Sequence, residues 1–254
     1  MNHSRRRFIQ HLSAAAITAT AGFPLVNDGK PLSPQGKPGI ALAGLGYYSS
    51  ELLAPGLQQT NNCHLAGIVA GPMDDEKAWK KKYNIPDKNI YYYQNFDEIA
   101  DNRDIDVVYV VLPNNMHKEF TIRAAEAGKH VICEKPMAMN AGECREMIQA
   151  CKKAGVQLSI GYRLRYEPYT QFIEKLAREE TYGRIRFVNT AAGFYLPRPT
   201  DQWRVKAKYG GGALMDMGLY PLQAARYATG KEPVAVSAQQ ITLDPENISE
   251  LSAG

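Results

Sequence analysis

Lys135, Asp216 and Tyr220 are the side chains of this sequence whose types, taken together, suit proton movement at a carbon that bears a hydroxyl or carbonyl oxygen. An ammonium can donate to such an oxygen and, where burial lowers its pKa, exchange a proton with it. Asp216 and Tyr220 are four residues apart, so a helix through them puts both on one face. Asp216 also stands where an N-cap would. A tyrosine hydroxyl titrates near 10 in solution, so Tyr220 needs a close cation to accept a proton near neutrality, and Lys135 is the candidate.

A second constellation is Gly44-Leu45-Gly46-Tyr47-Tyr48-Ser49, directly after the apolar run 39–43 and at the start of a helical pattern. In that context a G-x-G-x-x-(G/A) turn binds the pyrophosphate of a dinucleotide. The first glycine permits the tight turn, the second lets the backbone approach the phosphates, and the helix N-terminus supplies donors and a positive dipole end. Ser49 replaces the third small residue. About 20 residues on, the second strand of an NAD-binding protein ends in an acid that bonds the ribose hydroxyls. Here it ends Ile68-Val69-Ala70-Gly71-Pro72 without one. That predicts NADP, with Lys77 opposite the 2′-phosphate. If Asp74 or Asp75 folds back to the ribose, NAD fits instead.

These residues need a frame. Short continuous apolar runs at 39–43, 64–70, 106–112, 130–133 and 156–160 read as strands buried on both faces, and Tyr91-Tyr92-Tyr93 as a further short strand. Helical spacing falls between them at 49–59, 74–83, 117–128 and 141–154. The alternation implies βαβ units and a doubly wound parallel sheet, an α/β Rossmann domain. Ligands of such sheets sit outside the carboxyl ends of the strands, which is where Lys135 follows the run ending at Cys133. From about Tyr162 the rhythm changes. A helix at 169–179, an alternating strand at 184–192, the cluster Gly210-Gly211-Gly212, a helix at 216–227 and a strand from Pro233 predict an α+β second domain. The expected organisation is a signal at 1–26, a Pro/Gly-rich arm at 27–38, the dinucleotide domain at 39–161 and a partial second domain at 162–254.

The chain has 254 residues, 44% hydrophobic and 22% charged, which excludes disordered, collagen-like and polytopic membrane classes. Its net charge of +4 comes largely from Arg5, Arg6 and Arg7, so no nucleic-acid partner is expected. Those arginines precede a weakly apolar run, too short to span a membrane. Ser4-Arg5-Arg6-Arg7-Phe8-Ile9 has the form of a twin-arginine export signal, and Ala19-Thr20-Ala21 offers a cleavage site. The reading is a periplasmic or otherwise exported protein. Cys63, Cys133, Cys144 and Cys151 have no metal-binding spacing, and no metal is expected. They read as buried small residues or free thiols.

Several motifs in order resemble the Gfo/Idh/MocA oxidoreductase family, from about residue 38 to 240. They are Gly44-Leu45-Gly46-Tyr47-Tyr48, Val111-Leu112-Pro113-Asn114 with His117 beyond, Cys133-Glu134-Lys135-Pro136-Met137, Gly161-Tyr162-Arg163, Gln202-Trp203-Arg204, and Gly210-Gly211-Gly212 through Asp216, Gly218 and Tyr220. The family pattern Asp-x-Gly-x-His has Tyr220 in its last place, which resembles the glucose-fructose oxidoreductase branch. The resemblance implies Lys135, Asp216 and Tyr220 as catalytic residues, with Tyr220 exchanging the proton. It implies cofactor contacts from Gly44, Gly46, Tyr47, Tyr48, Gly71, Lys77, Leu112, Pro113, Asn114, His117, Glu134, Lys135 and Arg163, and substrate contacts from Tyr162, Trp203 and Arg204. It further implies a sugar substrate, NADP with NAD as the alternative, and a homo-oligomer formed through the second domain's sheet. The rival readings are an NAD(P)-dependent glycoside hydrolase of the same family and a non-catalytic sugar- or cofactor-binding relative. Against the family pattern the sequence ends soon after the second domain's second expected strand, which predicts that it is part of a longer protein.

Overall fold

A computed structural model describes residues 36–194 and 203–239. The twin-arginine segment, nearly all of the arm, Gln202 and the stretch after 239 lie outside the described residues.

Six parallel strands form one sheet in the order β3-β2-β1-β4-β5-β6. They are β1 (Gly39–Ala43), β2 (His64–Ala70), β3 (Ile90–Tyr92), β4 (Val107–Val110), β5 (His130–Cys133) and β6 (Leu158–Ile160). β1 is buried along its whole length, as its unbroken apolar run requires when both faces are covered. The chain reverses direction of winding at β1, so the crevice of this doubly wound sheet opens beyond the ends of β1 and β4. β1 and β4 are in register there, Ala43 opposite Val110. Two layers of core fill the faces. Phe96, Phe120, Val108, Val131 and Met147 belong to one, and Leu42, Ile68, Trp79 and Ile85 to the other.

Helices α1 (Ala54–Gln59, preceded by a π-turn at Ser49–Leu53), α2 (Glu76–Tyr83), α3 (His117–Glu126) and α4 (Ala141–Ala154) cover the sheet. α4 shows how local sequence sets the loop that carries Lys135. Asn140 caps its start by accepting from the Glu143 amide at 3.0 Å. The Glu143 carboxylate in turn accepts from the Met139 amide at 3.1 Å, a reciprocal capping box. Gly155 ends the helix in the left-handed conformation, φ 68°.

Beyond β6 lie α5 (Pro168–Arg178) and α6 (Leu219–Thr229), the latter entered through a π-turn at Leu214–Gly218. Asp216 is therefore inside a turn and not an N-cap, which corrects that expectation. Among the described residues no strand is formed at 184–192 or at 233–239, where strands were expected. Phe187 is 83% and Val236 82% exposed, and among the described residues no strand pairs with either segment. An alternating pattern makes a strand only where a second edge accepts its ladder. Among the described residues no helix is long and apolar enough to cross a membrane.

Candidate active site

The glycine turn leaves β1 and doubles back over β4. The Gly44 amide donates to the Val69 carbonyl at 3.0 Å. Gly44 has φ +93°, and a Cβ there would be driven into the Val111 carbonyl oxygen, so both conformation and space demand glycine. Ser49, fully buried, closes the turn by donating its hydroxyl to the Gly44 carbonyl at 2.6 Å. The third small residue of the motif is thus a hydroxyl used internally. Gly46 faces open space, with nothing within 4 Å of where a side chain would stand. The first-turn amides of the following helix have no intrahelical acceptors. This open cradle at a helix start fits a dinucleotide pyrophosphate.

At the end of β2 the Gly71 amide donates to the Asp74 carboxylate at 2.7 Å. Asp74 has folded back, but its carboxylate is spent on the backbone. Asp75 caps α2 by accepting from the Ala78 amide at 3.0 Å. Lys77 follows, exposed in the first turn of α2.

Lys135 sits just past β5. Its ammonium donates to the Asp216 carbonyl at 2.6 Å and to Asp216 Oδ1 at 2.9 Å. Both side chains are only 15% exposed. The same ammonium lies 4.9 Å from the centre of the Tyr220 ring, a cation–π contact. Lys135, Asp216 and Tyr220 are therefore brought together across the two halves of the chain. Arg204 joins them, its Nε 3.3 Å from Asp216 Oδ2 and its guanidinium stacked on Trp203 at 4.8 Å. Sequence reasoning set Arg204 against substrate, and no local signal pointed to its shared hold on Asp216. Tyr162 is buried beside the site, its ring 5.5 Å from that of Tyr220, and burial pushes its phenol up to about 12.

Asn114 and His117 are placed otherwise than expected. Asn114 is 2% exposed, and its amide donates to the Gly210 carbonyl at 2.7 Å, pinning the glycine cluster to the end of β4. His117 is 1% exposed, with Nδ1 2.7 Å from the Pro136 carbonyl and Nε2 2.8 Å from the Leu112 carbonyl. Both ring nitrogens are engaged by the backbone, so His117 has none for a cofactor. It joins the loop after β4 to the loop bearing Lys135, and burial lowers its pKa below the ordinary histidine value, an effect that the Pro136 and Leu112 carbonyls, which favour the charged ring, offset only in part. Leu112 is buried and packs under the glycine turn, its Cδ2 close to Gly44. Pro113 N-caps the short 3₁₀ turn 114–116. Tyr47 is 74% exposed. Tyr48 turns inward, where burial, with the Glu134 charge second, pushes its phenol up to about 12. Arg163 opens a 3₁₀ turn after β6.

A cavity of about 680 Å³ is lined by Lys135, Met139, Cys144, Tyr162, Met215 and Tyr227 among others. Its wall includes Lys135 but not Gly44, Gly46, Asp216 or Tyr220. All four cysteines are free.

Residues 39–162 match the profile of an oxidoreductase family with an NAD-binding Rossmann fold, GFO_IDH_MocA, and residues 170–253 match the GFO/IDH/MocA C-terminal domain. The chain is 47% identical to the aldose-aldose oxidoreductase of Caulobacter crescentus, whose crystal structure contains glycerol. That match has a TM-score of 0.76 and covers 78% of this chain and 59% of the other. It is 30% identical over 212 residues to the D-xylose 1-dehydrogenase [NADP(+)] of Haloarcula marismortui, covering 82% of this chain and 58% of that protein. With the trans-1,2-dihydrobenzene-1,2-diol dehydrogenase of Xenopus laevis it shares 32% over 176 residues, 69% of this chain and 52% of the other. The chain thus spans little more than half the length of the curated relatives it matches.

Proposed function

Since the chain belongs to the Gfo/Idh/MocA oxidoreductase family and contains its NAD-binding Rossmann domain, we propose that it is an exported, NADP-dependent sugar oxidoreductase. The observation that carries this reading is the convergence of Lys135, just past β5, with Asp216 and Tyr220. Bound nicotinamide supplies hydride acceptance and donation. The residues of the chain supply the rest. Tyr220 takes the proton of the sugar hydroxyl as its carbon gives up hydride, and returns it in the reverse direction. The Lys135 ammonium stands 4.9 Å from the centre of the Tyr220 ring, a cation against the aromatic face. Asp216 fixes the ammonium through two contacts, 2.6 and 2.9 Å, which is positioning of the kind that holds a near-attack geometry. Arg204 stands at the same carboxylate with Trp203 against its guanidinium, and the two grip sugar hydroxyls.

The preference for NADP is supported by the end of β2. Asp74 satisfies the Gly71 amide, no carboxylate reaches out for ribose hydroxyls from the strand tip, and Lys77 is available to a 2′-phosphate. Export is supported by the arginine-led N-terminal sequence. Self-association through the second domain is supported by the exposed apolar side chains of Ile185, Phe187, Val234 and Val236.

The test is to load the purified protein with NADP⁺, offer single aldoses, and follow reduction of the nicotinamide by absorbance. Reduction that a second sugar reverses supports the reading. Binding without hydride transfer favours a non-catalytic relative, and release of a leaving group without net change of cofactor favours a glycoside hydrolase.

A further inference from the structure

Glu134 stands one residue before Lys135 at the carboxyl end of β5 and is only 9% exposed. Its Oε1 accepts from the Tyr109 hydroxyl at 2.6 Å and its Oε2 from the Lys135 amide at 3.2 Å. Gly161 leaves room for this pair, since a Cβ there would come within 2.5 Å of Glu134 Oε1 and 2.6 Å of the Tyr109 hydroxyl. Three elements, β4, β5 and the turn after β6, are thus shaped around one carboxylate. Yet among the described residues no ammonium or guanidinium is in ion-pair contact with it. Lys135 gives its ammonium to Asp216, and Arg163 acts on Glu134 only at longer range. Burial raises the carboxyl pKa, and its hydrogen bonds with the more distant cations offset this only in part. A buried carboxylate without a counter-charge is costly. Tyr48, from the dinucleotide turn, and Tyr109 of β4 both feel its charge.

We propose that Glu134 is the built-in counter-charge for the positively charged, oxidised nicotinamide, so that this carboxylate sets the redox poise of the bound cofactor. The inference rests on the functional reading above. The reduced ring is neutral and gains nothing from the carboxylate, whereas the oxidised ring gains a Coulomb attraction in a site screened from water. Glu134 therefore holds NADP⁺ more tightly relative to NADPH, lowers the potential of the bound couple and favours hydride donation to the second sugar. It acts on the cofactor's equilibrium and exchanges no proton with substrate.

The experiment measures, by titration calorimetry on the full chain, affinities for NADP⁺, NADPH and 2′-phospho-ADP-ribose, the last lacking the nicotinamide. Glu134→Gln is expected to weaken NADP⁺ relative to NADPH about tenfold, equivalent to about 30 mV for a two-electron couple. Its affinity for 2′-phospho-ADP-ribose stays within about twofold of the wild type, and Glu134→Asp keeps the wild-type ratio. A ratio unchanged in Glu134→Gln overturns the proposal. If Glu134→Gln fails to bind 2′-phospho-ADP-ribose, and so has lost its fold, Glu134→Asp decides. A ratio kept supports the proposal, and a ratio lost in a protein that still binds the fragment overturns it. A wild type that binds none of the three ligands refutes the functional reading itself, a result distinct from any of these.

Discussion

Replacing Lys135 by Met removes the ammonium while keeping most of the side-chain volume, and its consequences follow from the geometry. At 2.9 Å from Asp216 Oδ1, the direct attraction at an effective dielectric of ~20 is roughly 6 kcal/mol. Desolvation of two side chains that are each 15% exposed cancels much of that. Breaking a buried pair from one side costs about 3–5 kcal/mol, because the remaining charge is stranded. Here Arg204 still lies 3.3 Å from Asp216 Oδ2 and takes up part of the charge, so the expected loss is about 2 kcal/mol. In urea unfolding this lowers the midpoint at unchanged slope. In sugar-dependent reduction of NADP⁺, loss of the group that supports proton exchange lowers kcat by about 10²–10⁴. A double-mutant cycle with Asp216→Asn isolates the pair and is expected to give a coupling above about 1 kcal/mol. A stability loss below about 0.5 kcal/mol with coupling near zero would mean that the pair behaves as a solvent-screened surface contact, and the positioning argument would fall.

Gly44→Ala places a Cβ against the Val111 carbonyl at φ +93°, and is expected to cost more than about 1 kcal/mol and to abolish the rise in Tm that NADP⁺ gives the wild type. Burial holds the His117 pKa below the ordinary value of about 6.5. Between the two values the folded state binds fewer protons than the unfolded, so stability is lost as pH falls through that window. Urea midpoints measured down through it are expected to drop in the wild type and to flatten in His117→Gln. Lys77→Ala is expected to weaken NADP⁺ binding about 5- to 10-fold with NAD⁺ unchanged, and equal losses for both would remove Lys77 from 2′-phosphate recognition.

Much of the frame was legible because each layer of the sheet has a strong local signature. The runs at 39–43, 64–70 and 130–133 are strands with those same limits, and 141–154 is a helix with its capping box intact. Lys135, Asp216 and Tyr220 were legible as one set from residue type and motif, although 81 residues separate the first two. What the sequence concealed is direction. His117 and Asn114 have the polar chemistry of cofactor ligands, but burial gives their nitrogens to the Pro136, Leu112 and Gly210 carbonyls. Tyr109 reads as one more apolar position of β4, and only the parallel register with β5 brings its hydroxyl to Glu134. The segments at 184–192 and from Pro233 carry an honest strand pattern that needs a partner edge to become strand.

The most direct measurement of the central claim is single-turnover reduction of protein-bound NADP⁺ by an aldose in the wild type and in Tyr220→Phe. The account predicts hydride transfer in the wild type, its loss by a factor of about 10² or more in the variant, and unaltered NADP⁺ affinity in both. Equal rates in the two proteins would contradict it.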